Sequence, residues 1–97
     1  MEFVFADLTL ERLYTRDEGT STFPPETVKV FRRRVRHIEA AEDLRDLQDP
    51  RGLHCDKIEG TDRFLVGLTD GYGLIFSRDM LASRIVIHEI SRREDLA

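Results

Sequence analysis

From Phe64 to Phe76, apolar side chains recur at every second position on either side of Asp70-Gly71. Phe64, Val66 and Leu68 alternate with Leu65, Gly67 and Thr69, and Tyr72, Leu74 and Phe76 alternate on the return. A period of two marks a strand with one buried face. Glycine after aspartate accepts the positive φ of a tight turn. The segment therefore predicts a hairpin with one face turned to a core. Residues 84–90 (RIVIHEI) predict a third strand of the same meander, and residues 54–59 are a further strand candidate.

The first half of the chain has a different period. Phe3-Val4-Phe5 is a short apolar run suited to a strand. Asp7 is placed to cap a helix over 7–15, because its carboxylate accepts from the free amides of the first turn. Leu10, Leu13 and Tyr14 follow at helical spacing. Pro25 suits a first helical position, where its missing N–H costs nothing. Val28, Phe31, Val35 and Ile38 then recur at three, four and three residues, so one apolar stripe predicts a helix over 25–41, with room to continue to 48. Asp49-Pro50-Arg51-Gly52 ends the helical region. The order β-α-α-β-β-β-β, helices early and strands late, is an α+β pattern, with two N-terminal helices packed on an antiparallel sheet.

A chain of 97 residues can bury roughly 60–70% of its unfolded surface in one core, so residues 1–97 are expected to form a single domain. With 35% charged and 40% hydrophobic residues the chain reads as a globular protein with a heavily charged surface. No run approaches a membrane span, and the N-terminus lacks the basic-then-apolar pattern of a signal peptide. One cysteine, Cys55, excludes an intrachain disulfide and fits a reducing cytoplasm. Cys55 also has no Cys or His neighbour at metal-ligand spacing, so neither metal nor cofactor is expected. The formal net charge of −4 opposes nucleic-acid binding overall. It conceals a basic block, however: Lys29, Arg32, Arg33, Arg34, Arg36 and His37 fall together.

Three stretches resemble the RelE/ParE superfamily, and its HigB-like branch most closely. Leu53-His54-x-x-Lys57-x-x-Gly60 is similar to the Leu-His-x-x-Lys-x-Gly segment that enters the sheet, with one extra residue before the glycine. Gly71-Tyr72-Gly73-Leu74-Ile75-Phe76 is similar to the family's Gly-Tyr-Arg-Leu-hydrophobic-aromatic strand. Ile90-Ser91-Arg92-Arg93-Glu94 resembles the closing Ile-Gly-basic-Arg segment. The resemblance implies a RelE-like fold and the toxin of a type II toxin–antitoxin system. It implies translation inhibition by metal-independent, ribosome-dependent mRNA cleavage, through attack of a ribose 2′-OH on the adjacent phosphate. It also implies a cytoplasmic protein in complex with a cognate antitoxin, acting on ribosome and mRNA.

Carried over position by position, the resemblance leaves His54, Lys57 and Arg93 as candidate catalytic residues. The family's strand arginine falls on Gly73, and its two lysines fall near Leu65 and Gly67. The HigB-like Asp-Tyr-His ending falls on Glu89-Ile90-Ser91. These departures keep a second reading open: a RelE/ParE-fold binding protein without nuclease chemistry, either a ParE-like topoisomerase inhibitor or an antitoxin-binding decoy. Lys29, Arg32, Arg33, Arg36 and His37, with Tyr72 and Arg92, are candidates for binding RNA or a partner. Their ordinary alternative is the solvated face of a helix, with Glu39 and Glu42 as ion-pair partners. His88 lies off the family positions and reads first as a cross-strand packing residue. If the nuclease reading holds, His54, Lys57 and Arg93 are expected to converge on one face of the sheet.

Overall fold

The structure is a computed structural model that describes residues 2–16, 23–42, 56–69, 71–79, 81 and 84–92. Among them two helices and five strands follow one another as β1 (Phe3–Phe5), α1 (Leu8–Arg16), α2 (Pro25–Ala40), β2 (Asp56–Lys57), β3 (Arg63–Gly67), β4 (Tyr72–Asp79) and β5 (Arg84–Arg92). This is an α+β architecture.

Local chemistry fixes the helix ends. Asp7 Oδ1 accepts from the Thr9 N–H at 2.8 Å, so the expected cap forms and α1 starts one residue later. Pro25 opens α2 after Pro24, whose extended backbone (φ −56°, ψ 143°) stands outside the helix. At the other end Ala41 turns to φ −68° and ψ 145°, and its N–H donates to the carbonyls of His37 and Ile38. The helix therefore stops at Ala40; residues 43–48, over which it had room to continue, lie outside the described residues.

The five strands lie in the order β1-β5-β4-β3-β2. The β3–β4 hairpin forms as its alternation predicts, with Phe64 opposite Phe76 and Val66 opposite Leu74. At the turn the Tyr72 N–H donates to the Thr69 carbonyl, and Gly71 sits at φ 89°, the left-handed region that glycine enters without a Cβ penalty. The sheet is mixed, which corrects the expectation of an antiparallel one. β1 runs parallel to β5, with Phe3, Val4 and Phe5 beside Ile85, Val86 and Ile87. Parallel neighbours need a long crossover, here everything between the first strand and the last. Such a pairing leaves no turn motif for a reader of the sequence to find.

Both helices lie on one face. Leu10 and Leu13 of α1 and Val28, Phe31, Val35 and Ile38 of α2 share a core with Phe64, Val66, Leu74, Phe76, Ile85 and Ile87 of the sheet. Phe31 is fully enclosed and meets Phe5 and Tyr14 at ring-centroid distances of 6.5 and 6.4 Å, so one ring ties β1, α1 and α2 together. Thr27 is the buried hydroxyl of α2, and its Oγ1 lies 2.7 Å from that of Thr69 beside the hairpin turn. A buried hydroxyl left unpaired costs free energy, so this bond fixes the N-terminal end of α2 against the β3–β4 turn.

Two substitutions separate core from cap. Phe31→Ala should cost about 3–5 kcal/mol of stability, the range for truncating a fully buried aromatic ring. Asp7→Ala should cost about 1 kcal/mol, the usual worth of a helix cap. Denaturant unfolding of the two variants checks the order; equal losses would contradict the central place given to Phe31.

Candidate functional site on the sheet face opposite the helices

The register sorts the strand side chains onto two faces. Arg63, Leu65 and Gly67 of β3 and Gly73, Ile75 and Ser77 of β4 alternate with the core residues and so point away from the helices. Among the described residues no helix lies on this face.

On β5 the alternation breaks. Ile75 lies opposite Glu89, yet Phe76 lies opposite Ile87, so His88 is an extra residue and β5 carries a bulge there. Strict alternation from Ile85 and Ile87 would aim Glu89 at the core and Ile90 at solvent. The bulge returns Ile90 to the core side, where it packs on the cluster, and leaves Glu89 exposed. Burying an unpaired carboxylate would cost several kcal/mol, on the order of the penalty for any lone buried ion.

Because Ile87 and Ile90 both serve the core, His88 and Glu89 share the outer face. His88 Nε2 lies 2.7 Å from Ser77 Oγ. Arg63 is the cross-strand neighbour of Ser77. Burial pushes the His88 imidazole below its ordinary value, and the Arg63 guanidinium pushes it the same way. Asp62 and Glu89 oppose both. The balance favours a neutral ring, which has one nitrogen free to accept a proton. Sequence reasoning set His88 aside as a packing residue. The signal that finds it is the mismatch between the RIVIHEI pattern and a strict period of two.

The family's cation positions lie farther along the same face. Leu65 leans across Gly73: a Cβ built on Gly73 would overlap the Leu65 Cδ1. An apolar side chain thus fills the space beside the position where the resemblance expects an arginine, and Gly67, opposite Gly73, contributes no side chain.

The described residues among those singled out from sequence are dispersed. His54 and Arg93 lie outside the described residues. Lys57 is exposed on β2, and its pairing with Phe64 puts it on the helix side of the sheet, away from His88. Tyr72 and Arg92 are paired at the end of β4 and β5, also on the helix side. The Tyr72 ring stands edge-on to Phe23 at 5.9 Å, and Arg92 is exposed. In the basic block Arg32 is engaged inward, its Nε and Nη2 donating to the Leu13 carbonyl at 3.3 and 2.9 Å. That carbonyl is in the last turn of α1, where a cation offsets the negative end of the helix dipole. Arg34 reaches the Gly67 carbonyl at 3.4 Å. Lys29, Arg33 and Arg36 are exposed, and His37 is half-buried at the last turn of α2. Residues 29, 33 and 36 are spaced i, i+4 and i+7, one face of a helix, so the three cations form a stripe.

No group of His, Cys, Asp and Glu able to hold a metal occurs among the described residues. Nor is any helix among them long and apolar enough to cross a membrane.

A family model for the RelE-like toxin HigB of type II toxin–antitoxin systems matches residues 3–85. The chain belongs to that HigB-like toxin family. Membership identifies it as a toxin-family protein and implies a cognate antitoxin as partner. No curated protein matches the chain. The matched span stops at Ile85, so it covers the α2 stripe, Gly73 and Ser77 but not His88.

The imidazole gives a signed pH test. A histidine whose folded-state pKa lies below its unfolded value of about 6.5 binds its proton more readily in the unfolded chain. Its contribution is therefore complete above that value and is lost as pH falls through the folded pKa. Melting temperatures measured from pH 7.5 down to 5 should fall less for His88→Gln than for the parent chain. Parallel curves would show that the ring does not feel its surroundings.

Proposed function

We propose that this HigB-like protein inhibits translation by cleaving mRNA on the ribosome, and that its antitoxin holds it inactive between uses. The observation that carries this reading is the solvent-facing cation stripe Lys29, Arg33 and Arg36 on a chain of net charge −4. Two arginines of the same block are tied to carbonyls of α1 and β3, and these three extend to solvent. An RNA backbone attracts such a local patch even when the total charge is negative, because the near field acts at these distances.

The layout suits a protein held on one side and working on the other. The stripe lies on the helix layer, and the sheet face that carries Arg63 and His88 lies on the far side of the core. With α2 against ribosomal RNA, the exposed Arg63 and the half-buried His88 on the other side are left to meet a single strand of mRNA. A cognate antitoxin that covers either surface silences the protein, and the two form a hetero-oligomer in that state.

Reversing the stripe tests the anchor. Lys29→Glu, Arg33→Glu and Arg36→Glu together should weaken ribosome association and flatten its log–log salt dependence by about two to three, close to one unit per lost phosphate contact. In a translating extract the parent chain should halt synthesis and leave mRNA cut at codons in the A site, and the triple variant should do so at reduced rate. Synthesis arrested with mRNA intact would overturn the cleavage reading. Unchanged ribosome binding by the triple variant would overturn the role of the stripe.

A further inference from the structure

The bulge on β5 groups three side chains that the family's cation positions do not include. The geometry points to Arg63, Ser77 and His88 as a phosphodiester-binding site, with His88 as the proton acceptor for an adjacent ribose hydroxyl. This inference rests on the proposed cleavage of RNA, and deepens it by moving the chemistry along the sheet. Gly73 and Ser77 are four residues apart on β4, so the row lies about 13 Å from the expected arginine position, at roughly 3.3 Å per residue.

Each member supplies one requirement. Arg63 is exposed at the start of β3, and its guanidinium offers a planar fork to two phosphate oxygens. Ser77 is nearly buried, at 8% exposure, so its hydroxyl is held in place beneath the imidazole it touches. His88 is half-buried and faces the side on which no helix lies among the described residues. With Nε2–H donated to Ser77 Oγ, the unshared pair of the neutral ring lies on Nδ1. Ser77 is then a positioning residue that sets the tautomer. Arg63 keeps the ring from taking a proton prematurely, as two cations side by side repel.

The step balances without another reactant. Nδ1 takes the proton of the 2′-OH while O2′ bonds to phosphorus. The bond from phosphorus to O5′ breaks, and O5′ takes a proton from water. The imidazolium then returns its proton to water, leaving a 2′,3′-cyclic phosphate and a 5′-hydroxyl. Arg63 faces the negative charge that builds on the phosphoryl oxygens, where a fixed cation is most effective.

The test pairs binding with turnover. A dinucleotide whose 2′-OH is methylated is titrated into the intact chain, and the ring resonances of His88 are followed by nitrogen-detected NMR. The resonances should shift on binding and stop shifting in Arg63→Ala, while amide spectra show both chains folded. No shift at His88, or a shift unchanged by Arg63→Ala, overturns the site whether or not the protein cuts mRNA. In the ribosome assay His88→Gln, which can still reach Ser77, should slow cleavage about 100-fold or more, the usual worth of a general base. Ser77→Ala should slow it less and alter the pH profile. Full activity in His88→Gln with an active parent overturns the proton-acceptor role and leaves the cleavage reading standing. A parent chain that never cuts RNA overturns the cleavage reading and with it that role, while the NMR result still decides whether Arg63 and His88 bind the phosphodiester.

Discussion

β5 can keep Ile85, Ile87 and Ile90 on one core only by carrying an extra residue between them. β5 lies between β1 and β4, so its register sets where both neighbours pair. On one side Phe3 and Phe5 follow Ile85 and Ile87 into the aromatic cluster around Phe31. On the other, Phe76 meets Ile87 and stacks on Phe64 at 5.6 Å. A strand without the bulge would aim Glu89 inwards and lose Ile90 from the core. The bulge thus satisfies the hydrophobic demand, and it places His88 beside Ser77 as a consequence.

How much of this is legible in the sequence depends on the range of each interaction. Asp7, Pro25, the stripe from Val28 to Ile38 and the turn at Gly71 act within a few residues, and the elements they define form where the pattern places them. The pairing of β1 with β5 links opposite ends of the chain, and no local pattern carries it. The α2 boundary shows a related limit. Helical spacing can be traced beyond Ala40, but Ala41, itself buried in the core, takes extended backbone. Among the candidate site residues, the exposed cations Lys29, Arg33 and Arg36 were visible as charge. That Arg32 closes the end of α1 was not, because its acceptor is a backbone carbonyl with no signature of its own.

The division of the basic block is also a division of energies. Arg32 spends its hydrogen bonds on a helix terminus, where a cation is worth roughly 0.3–1 kcal/mol from the dipole alone. Lys29, Arg33 and Arg36 extend into water, where an exposed charge makes little difference to stability. Such residues are free to be selected for a partner. The acidic balance of the remaining chain then favours specificity, since complementary potentials orient a partner on a local basic stripe.

The outer sheet face follows the same logic. A side chain at position 73 would first meet the Leu65 Cδ1, the end of a flexible side chain that would have to turn aside, so Leu65 fills the space beside Gly73. Farther along β4 the side chains become the buried Ser77 and, across the strands, the exposed Arg63 and the half-buried His88. An apolar patch next to a cation and a neutral imidazole is a better setting for proton transfer than an evenly basic surface. It lowers the local dielectric, strengthens the pull of Arg63 on a phosphate, and keeps the ring unprotonated. The loss of family cations at one end of the sheet and the neutral imidazole at the other are, on this argument, two parts of one arrangement.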